Sequence, residues 1–103
     1  MSKVEDIIKQ LKTYGIKPVV VDPWASEQDA MHEYGVKLQS MEEAKDADCI
    51  IVAVAHNEFK ALSLNDIKNM YKSGPDAGKV LLDVKGLYKV CELEKSGMRY
   101  WRL

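Results

Sequence analysis

Three short runs of consecutive apolar residues constrain this chain more than anything else in it: Val19-Val20-Val21, Cys49 to Ala55, and Val80-Leu81-Leu82. A strand with one wet face alternates apolar and polar residues, whereas a strand covered on both faces does not. Each run therefore predicts a buried strand of a parallel sheet. Polar residues stop each one: Asp22-Pro23, His56-Asn57 and Asp83. The segments between them have helical spacing. Ser2 and Glu5 form a capping box, and Val4, Ile7, Ile8 and Leu11 then line one helical face. Gly15 stands where a left-handed C-cap belongs. Ser26 caps a second helix through about Tyr34, closed by Gly35.

Later segments continue the alternation. Val36-Lys37-Leu38 is a short strand candidate, and Ser40-Met41-Glu42-Glu43 is a capping box opening a helix of one or two turns. Leu62, Leu64, Ile67 and Met70 outline a further helix, and Ser73-Gly74-Pro75-Asp76 is a turn. A short helix is expected over Leu87 to Lys95, then a weak terminal strand at Arg99-Tyr100-Trp101. This alternation predicts an α/β fold: a Rossmann-like, open, mostly parallel sheet with flanking helices. Such domains usually begin with a strand, and this chain begins with a capped helix. The expectation is one domain over residues 1–103 whose first strand is missing, truncated at its N-terminus. In the common doubly wound order that strand is central, and losing it leaves edges that recruit partners.

At 103 residues the chain is long enough for one core. The net charge is −1 with basic residues dispersed, which argues against nucleic acid as the main partner. No apolar run approaches the ~18–20 residues of a membrane span, and the first residues carry no secretory apolar core. Cys49 and Cys91 are too few for a disulfide framework and too far apart for a metal knuckle. They read as reduced cytoplasmic thiols engaged in packing. The two histidines, His32 and His56, offer no metal-ligand spacing.

In folds of this kind ligands bind beyond the carboxyl ends of the strands. Asp22 admits a ribose-binding reading, but that needs a glycine-rich turn upstream, and turn formation before Pro23 is the better account. Trp24 reads as packing in that turn. His56 ends a strand and admits structural capping, a ligand contact or a general base, the last weakly for want of a partner. His32 reads as a solvated surface residue. Gly74 to Lys79 mimics a phosphate loop but is one residue short and precedes a strand. Lys85 follows a buried strand and has Gly86 beside it. Ammonium and backbone can both approach a phosphate there, although an ordinary surface lysine fits the same pattern.

Taken together, the segments resemble a known family. Tyr14-Gly15-Ile16, Asp22-Pro23-Trp24-Ala25, Glu33-Tyr34-Gly35, Ala53-Val54-Ala55-His56-Asn57-Glu58-Phe59, Leu82-Asp83-Val84-Lys85-Gly86-Leu87-Tyr88 and Tyr100-Trp101-Arg102-Leu103 occur in the order and spacing of the C-terminal, UDP-binding domain of UDP-glucose/GDP-mannose dehydrogenases. The resemblance implies a parent enzyme, an oxidoreductase that oxidises a nucleotide-sugar hydroxyl to a carboxylate with NAD. NAD would sit on a domain absent here, as would the catalytic cysteine, so the chain would have no cofactor and no catalytic residue of its own. A Phe-Lys pair on the family's first strand is missing as well. By position, Lys85 falls where the family places a basic residue against substrate, often Arg. Gly86, Asp83 and His56 complete the substrate-binding set that the resemblance implies. The Ala-His-x-Glu-Phe loop looks more like members acting on UDP-N-acetylhexosamines.

Two functions remain open on these grounds. The chain is the UDP-sugar-binding piece of a 6-dehydrogenase in polysaccharide biosynthesis, or a standalone nucleotide-binding or oligomerisation module without activity. Either way the expected partners are a UDP-sugar and a second copy of the chain, paired through open sheet edges, with no membrane and no metal.

Overall fold

The computed structural model describes residues 3–102, so Ser2 of the first capping box lies outside the described residues. The chain divides into two compact units, Met1–Ala44 and Lys45–Leu103. In the first, helix α1 spans Lys3–Thr13 and helix α2 spans Glu27–Tyr34. Gly15 adopts φ 77°, and the bonds from the Ile16 and Gly15 amides to the Leu11 and Lys12 carbonyls, both 3.0 Å, close α1 in a Schellman arrangement. The Ser26 hydroxyl accepts the Asp29 amide at 3.1 Å, and Gly35 ends α2 at φ 63°. Ile8, Ala30, Val36 and Leu38 form this unit's core.

Three expectations for this unit change: the Val36-Lys37-Leu38 run, like Val19–Val21, contributes a single bridge and no strand, and the Ser40 box opens no helix. Val19–Val21 is not a fully covered strand: it makes one parallel bridge, Val20 to Leu38, and Val19 is 57% exposed. An apolar, β-branched run shows what a backbone can bury, but the neighbours that bury it must come from elsewhere. The Ser40 box forms as expected. The Ser40 amide reaches Glu43 Oε1 at 2.9 Å and the Glu43 amide reaches Ser40 Oγ at 3.2 Å. It frames a turn and not a helix, because no apolar face follows to hold further turns.

The second unit contains a three-stranded parallel sheet with flanking helices, a Rossmann-like α/β arrangement. Strands β1 (Cys49–Val52), β2 (Val80–Asp83) and β3 (Arg99–Arg102) lie in that spatial order. Helices α3 (Asn57–Lys60), α4 (Leu64–Lys68) and α5 (Val90–Lys95) connect them. Leu81 and Leu93 are both 0% exposed and pack with Val52, Ile67, Tyr71, Tyr88 and Met98.

Here too the burial is more one-sided than the sequence predicts. β2 alternates, with Leu81 and Asp83 buried and Val80 and Leu82 half-buried. β1 ends at Val52, not Ala55, and Cys49 is exposed, as an edge position allows. Cys91 is exposed as well, so neither thiol is a packing residue. α5 starts at Val90 and not at Leu87, because the Leu87 and Tyr88 amides go to the Asp83 carboxylate.

Candidate functional site

Parallel pairing aligns three strand ends at one edge of the sheet. Val52 pairs with Asp83, and Asp83 pairs with Arg102. The loops leaving these ends carry His56, Lys85 and Gly86.

The loop after β2 is built around Asp83. This residue is 0% exposed. Its Oδ1 accepts the Leu87 amide at 3.0 Å and its Oδ2 accepts the Tyr88 amide at 2.9 Å. A carboxylate placed this way supplies two acceptors to a turn that would otherwise leave inward-facing N–H groups unpaired. Asp83 thus enters the site as the organiser of the loop. The Gly86 amide closes the turn onto the Asp83 carbonyl at 3.4 Å, and Gly86 adopts φ 66°, a left-handed conformation that suits glycine. Lys85 is exposed beside it. The Tyr88 phenol is buried and donates to the Leu62 carbonyl at 2.8 Å. Burial, with the Asp83 charge adding to it, pushes that phenol up to about 12.

Arg102 completes this loop, and nothing local in the sequence marks it as a site residue. Its Nε donates to the Tyr88 carbonyl at 2.8 Å and its Nη2 to the Gly86 carbonyl at 3.4 Å. The only signal for it in the sequence is its place in a terminal Tyr-Trp-Arg-Leu stretch. What brings it to the loop is the register of β2 with β3.

His56 precedes α3 with extended backbone and makes no side-chain cap. Its carbonyl accepts the Phe59 and Lys60 amides, both at 3.0 Å, and its ring meets Phe59 with centroids 5.5 Å apart. The ring contact places the imidazole beside Phe59 in the loop after β1.

The remaining candidates lead away from ligand chemistry. Asp22 Oδ1 accepts the Trp24 amide at 3.0 Å, an Asx turn, and the turn into α2 carries an exposed tryptophan where a dinucleotide turn carries glycine. These residues do not fit a bound NAD. Lys79, of the phosphate-loop mimic, is 8% exposed and donates to the Gly74 carbonyl at 2.7 Å and to Asp76 Oδ1 at 3.3 Å. Its ammonium is spent holding its own loop. Lys68 also bonds Asp76, at 3.0 Å, and the two lysines hold that carboxyl below its usual range. His32 is exposed. Among the described residues no group of three or more His, Cys, Asp or Glu is placed to hold a metal, and no helix is long and apolar enough to cross a membrane.

A profile of the UDP-glucose/GDP-mannose dehydrogenase family, UDP binding domain, matches residues 1–90. The chain belongs to this family. It is 41% identical to the UDP-N-acetyl-D-glucosamine 6-dehydrogenase of Pseudomonas aeruginosa over 95% of its own length and 22% of the relative's. It is 33% identical to the enzyme of the same name from Salmonella typhi, again over 95% of its length and 21% of the relative's. With Protein CapL of Staphylococcus aureus it shares 34% identity over 99% of its length and 23% of the relative's. The chain thus spans about a fifth of the length of the curated relatives it matches.

Proposed function

We propose that this chain holds the nucleotide end of a UDP-sugar for an NAD-dependent UDP-sugar 6-dehydrogenase, and that it is not catalytic by itself. The observation that carries this reading is the loop after β2, held by a buried carboxylate so that Lys85 and Gly86 stand at the carboxyl edge of the sheet. The family match supports the UDP end of the ligand. Two relatives named UDP-N-acetyl-D-glucosamine 6-dehydrogenase support a UDP-N-acetylhexosamine as the sugar.

In this reading Lys85 gives the diphosphate a mobile point charge, and the bare Gly86 lets backbone approach it. Asp83 positions both without touching ligand. His56, steadied by Phe59, lines the neighbouring loop on the same edge. NAD, held by other parts of such an enzyme, would supply the hydride acceptor for the oxidation. The residues of this chain only bind and orient. The free thiols of Cys49 and Cys91 suit a cytoplasmic setting. The half-open Val19–Val21 run supports self-association of the chain through a strand edge, which sedimentation reads directly.

The test is calorimetric titration of the purified chain with UDP and, separately, with NAD. UDP is expected to bind, more weakly as salt rises, and NAD to give no heat and no reduction. Lys85→Ala is expected to weaken UDP by about tenfold, the worth of one charge-assisted hydrogen bond. Unchanged UDP affinity in that variant, or reduction of NAD by the chain alone, sinks the reading.

A further inference from the structure

We propose that Arg102 is the positioning residue of the Lys85 loop, holding it in the shape that receives a nucleoside diphosphate. This rests on the reading of the loop as the nucleotide site, and extends it to a residue on another strand.

The loop from Val84 to Tyr88 leaves the sheet: the Val84 amide still pairs with the Val52 carbonyl at 3.0 Å and the Gly86 amide with the Asp83 carbonyl at 3.4 Å, and beyond them the strand ladder supplies no partner. Two side chains of opposite charge divide that work. The Asp83 carboxylate takes N–H groups, those of Leu87 and Tyr88. The Arg102 guanidinium takes carbonyls, those of Gly86 and Tyr88. Tyr88 is therefore gripped at both its amide and its carbonyl. The pairing of Asp83 with Arg102 across adjacent strands places the two clamps side by side.

Gly86 is matched to this arrangement. A Cβ at that position would stand 3.2 Å from Arg102 Nη2 and 3.3 Å from its Cζ. With a side chain there, the guanidinium would have to give by a few tenths of an ångström to stay against the loop. A planar guanidinium reaches two carbonyls at once from a fixed fork, and an ammonium does not. Removing the fork frees the carbonyl side of the loop directly next to Lys85. Lys85 then samples more positions before it meets the ligand, and affinity falls without any lost contact to the ligand itself.

The experiment is a double-mutant cycle on the full chain, read as UDP dissociation constants. Arg102→Ala is expected to weaken UDP about fivefold, and Arg102→Lys nearly as much, because charge without the fork does not hold the loop. The double variant Lys85→Ala/Arg102→Ala is expected to lie within about twofold of Lys85→Ala alone, because Arg102 acts through Lys85. A residue serving only general stability, or one touching UDP itself, gives losses that add. Additive losses, an Arg102→Ala affinity within about twofold of wild type, or full recovery in Arg102→Lys each overturn the proposal while leaving Lys85 in its role. If Lys85→Ala binds UDP like the wild type, or the wild type binds none, the reading of the site falls and this inference with it.

Discussion

Gly86 shows how much a single position decides here. Its φ of 66° is open to glycine and costs other residues roughly 1–2 kcal/mol. A methyl group there also meets the Arg102 guanidinium. Gly86→Ala is therefore expected to lower unfolding stability by about 1–2 kcal/mol, read as a drop in the urea midpoint at constant slope. A neutral substitution means the turn readily adopts another shape. Gly15 has φ 77°, and a methyl group on it would meet nothing within 4 Å, so Gly15→Ala isolates the backbone cost alone. The Lys85-Gly86 pair is visible in the sequence because it follows a strand-like run. Asp83 is visible as that strand's terminator, but its burial is not, since an aspartate ending a strand usually faces water. Arg102 is out of reach: what ties it to Gly86 is a strand register, and no local pattern encodes register between distant strands.

At the scale of elements, capping chemistry is the most legible signal and apolar runs the most easily overread. Ser26, Gly15 and Gly35 do what their positions predict. Ser40 and Glu43 make their reciprocal bonds yet start no helix, so a capping box marks a chain reversal first and a helix only when an apolar face follows. The Ser40 bonds hold the Glu43 carboxyl below its usual range. A second box, outside the expected set, does start a helix. The Ser63 hydroxyl accepts the Asp66 amide at 3.1 Å, and the Asp66 carboxylate accepts the Ser63 amide at 2.8 Å, with aspartate in the place usually given to Glu or Gln. It opens α4, which is only five residues long and buries Ile67 in the core. A helix this short has little intrinsic stability, so its cap matters more than in a long one. Ser63→Ala is expected to cost about 1 kcal/mol, and Ser63→Thr much less, both measured by chemical denaturation. Equal losses in the two variants argue that the hydroxyl is not what holds the helix start.

For the whole molecule, the sequence conveys the fold class, but neither the division into two compact units nor which apolar runs become strands. Apolar runs report a demand for burial without naming which segment meets it, and the Val19–Val21 run finds one bridge where a full strand is expected. The second unit holds the proposed site, and its integrity has a pH signature. Tyr88 and Tyr71 are each buried, at 7% and 6% exposure, with the Tyr71 phenol donating to the Val80 carbonyl at 2.5 Å. Burial raises both phenols, Tyr88 to about 12 and Tyr71 further. Both are neutral in the fold where an unfolded chain would already have ionised them. Their contribution is complete below the unfolded value of about 10 and is lost as pH rises through the folded values. Stability to urea is therefore expected to hold between about pH 7 and 9 and to fall steeply from about pH 10 to 12. Tyr88→Phe removes one of the two titrating groups while keeping the ring. It is expected to start less stable at neutral pH, having lost the bond to Leu62, and to decline more gently in alkali. The comparison is the difference between the two urea midpoints measured across that window. A gap that stays constant with pH would mean that Tyr88 ionises as freely in the fold as outside it, and that the Asp83 loop it packs beneath is open to water.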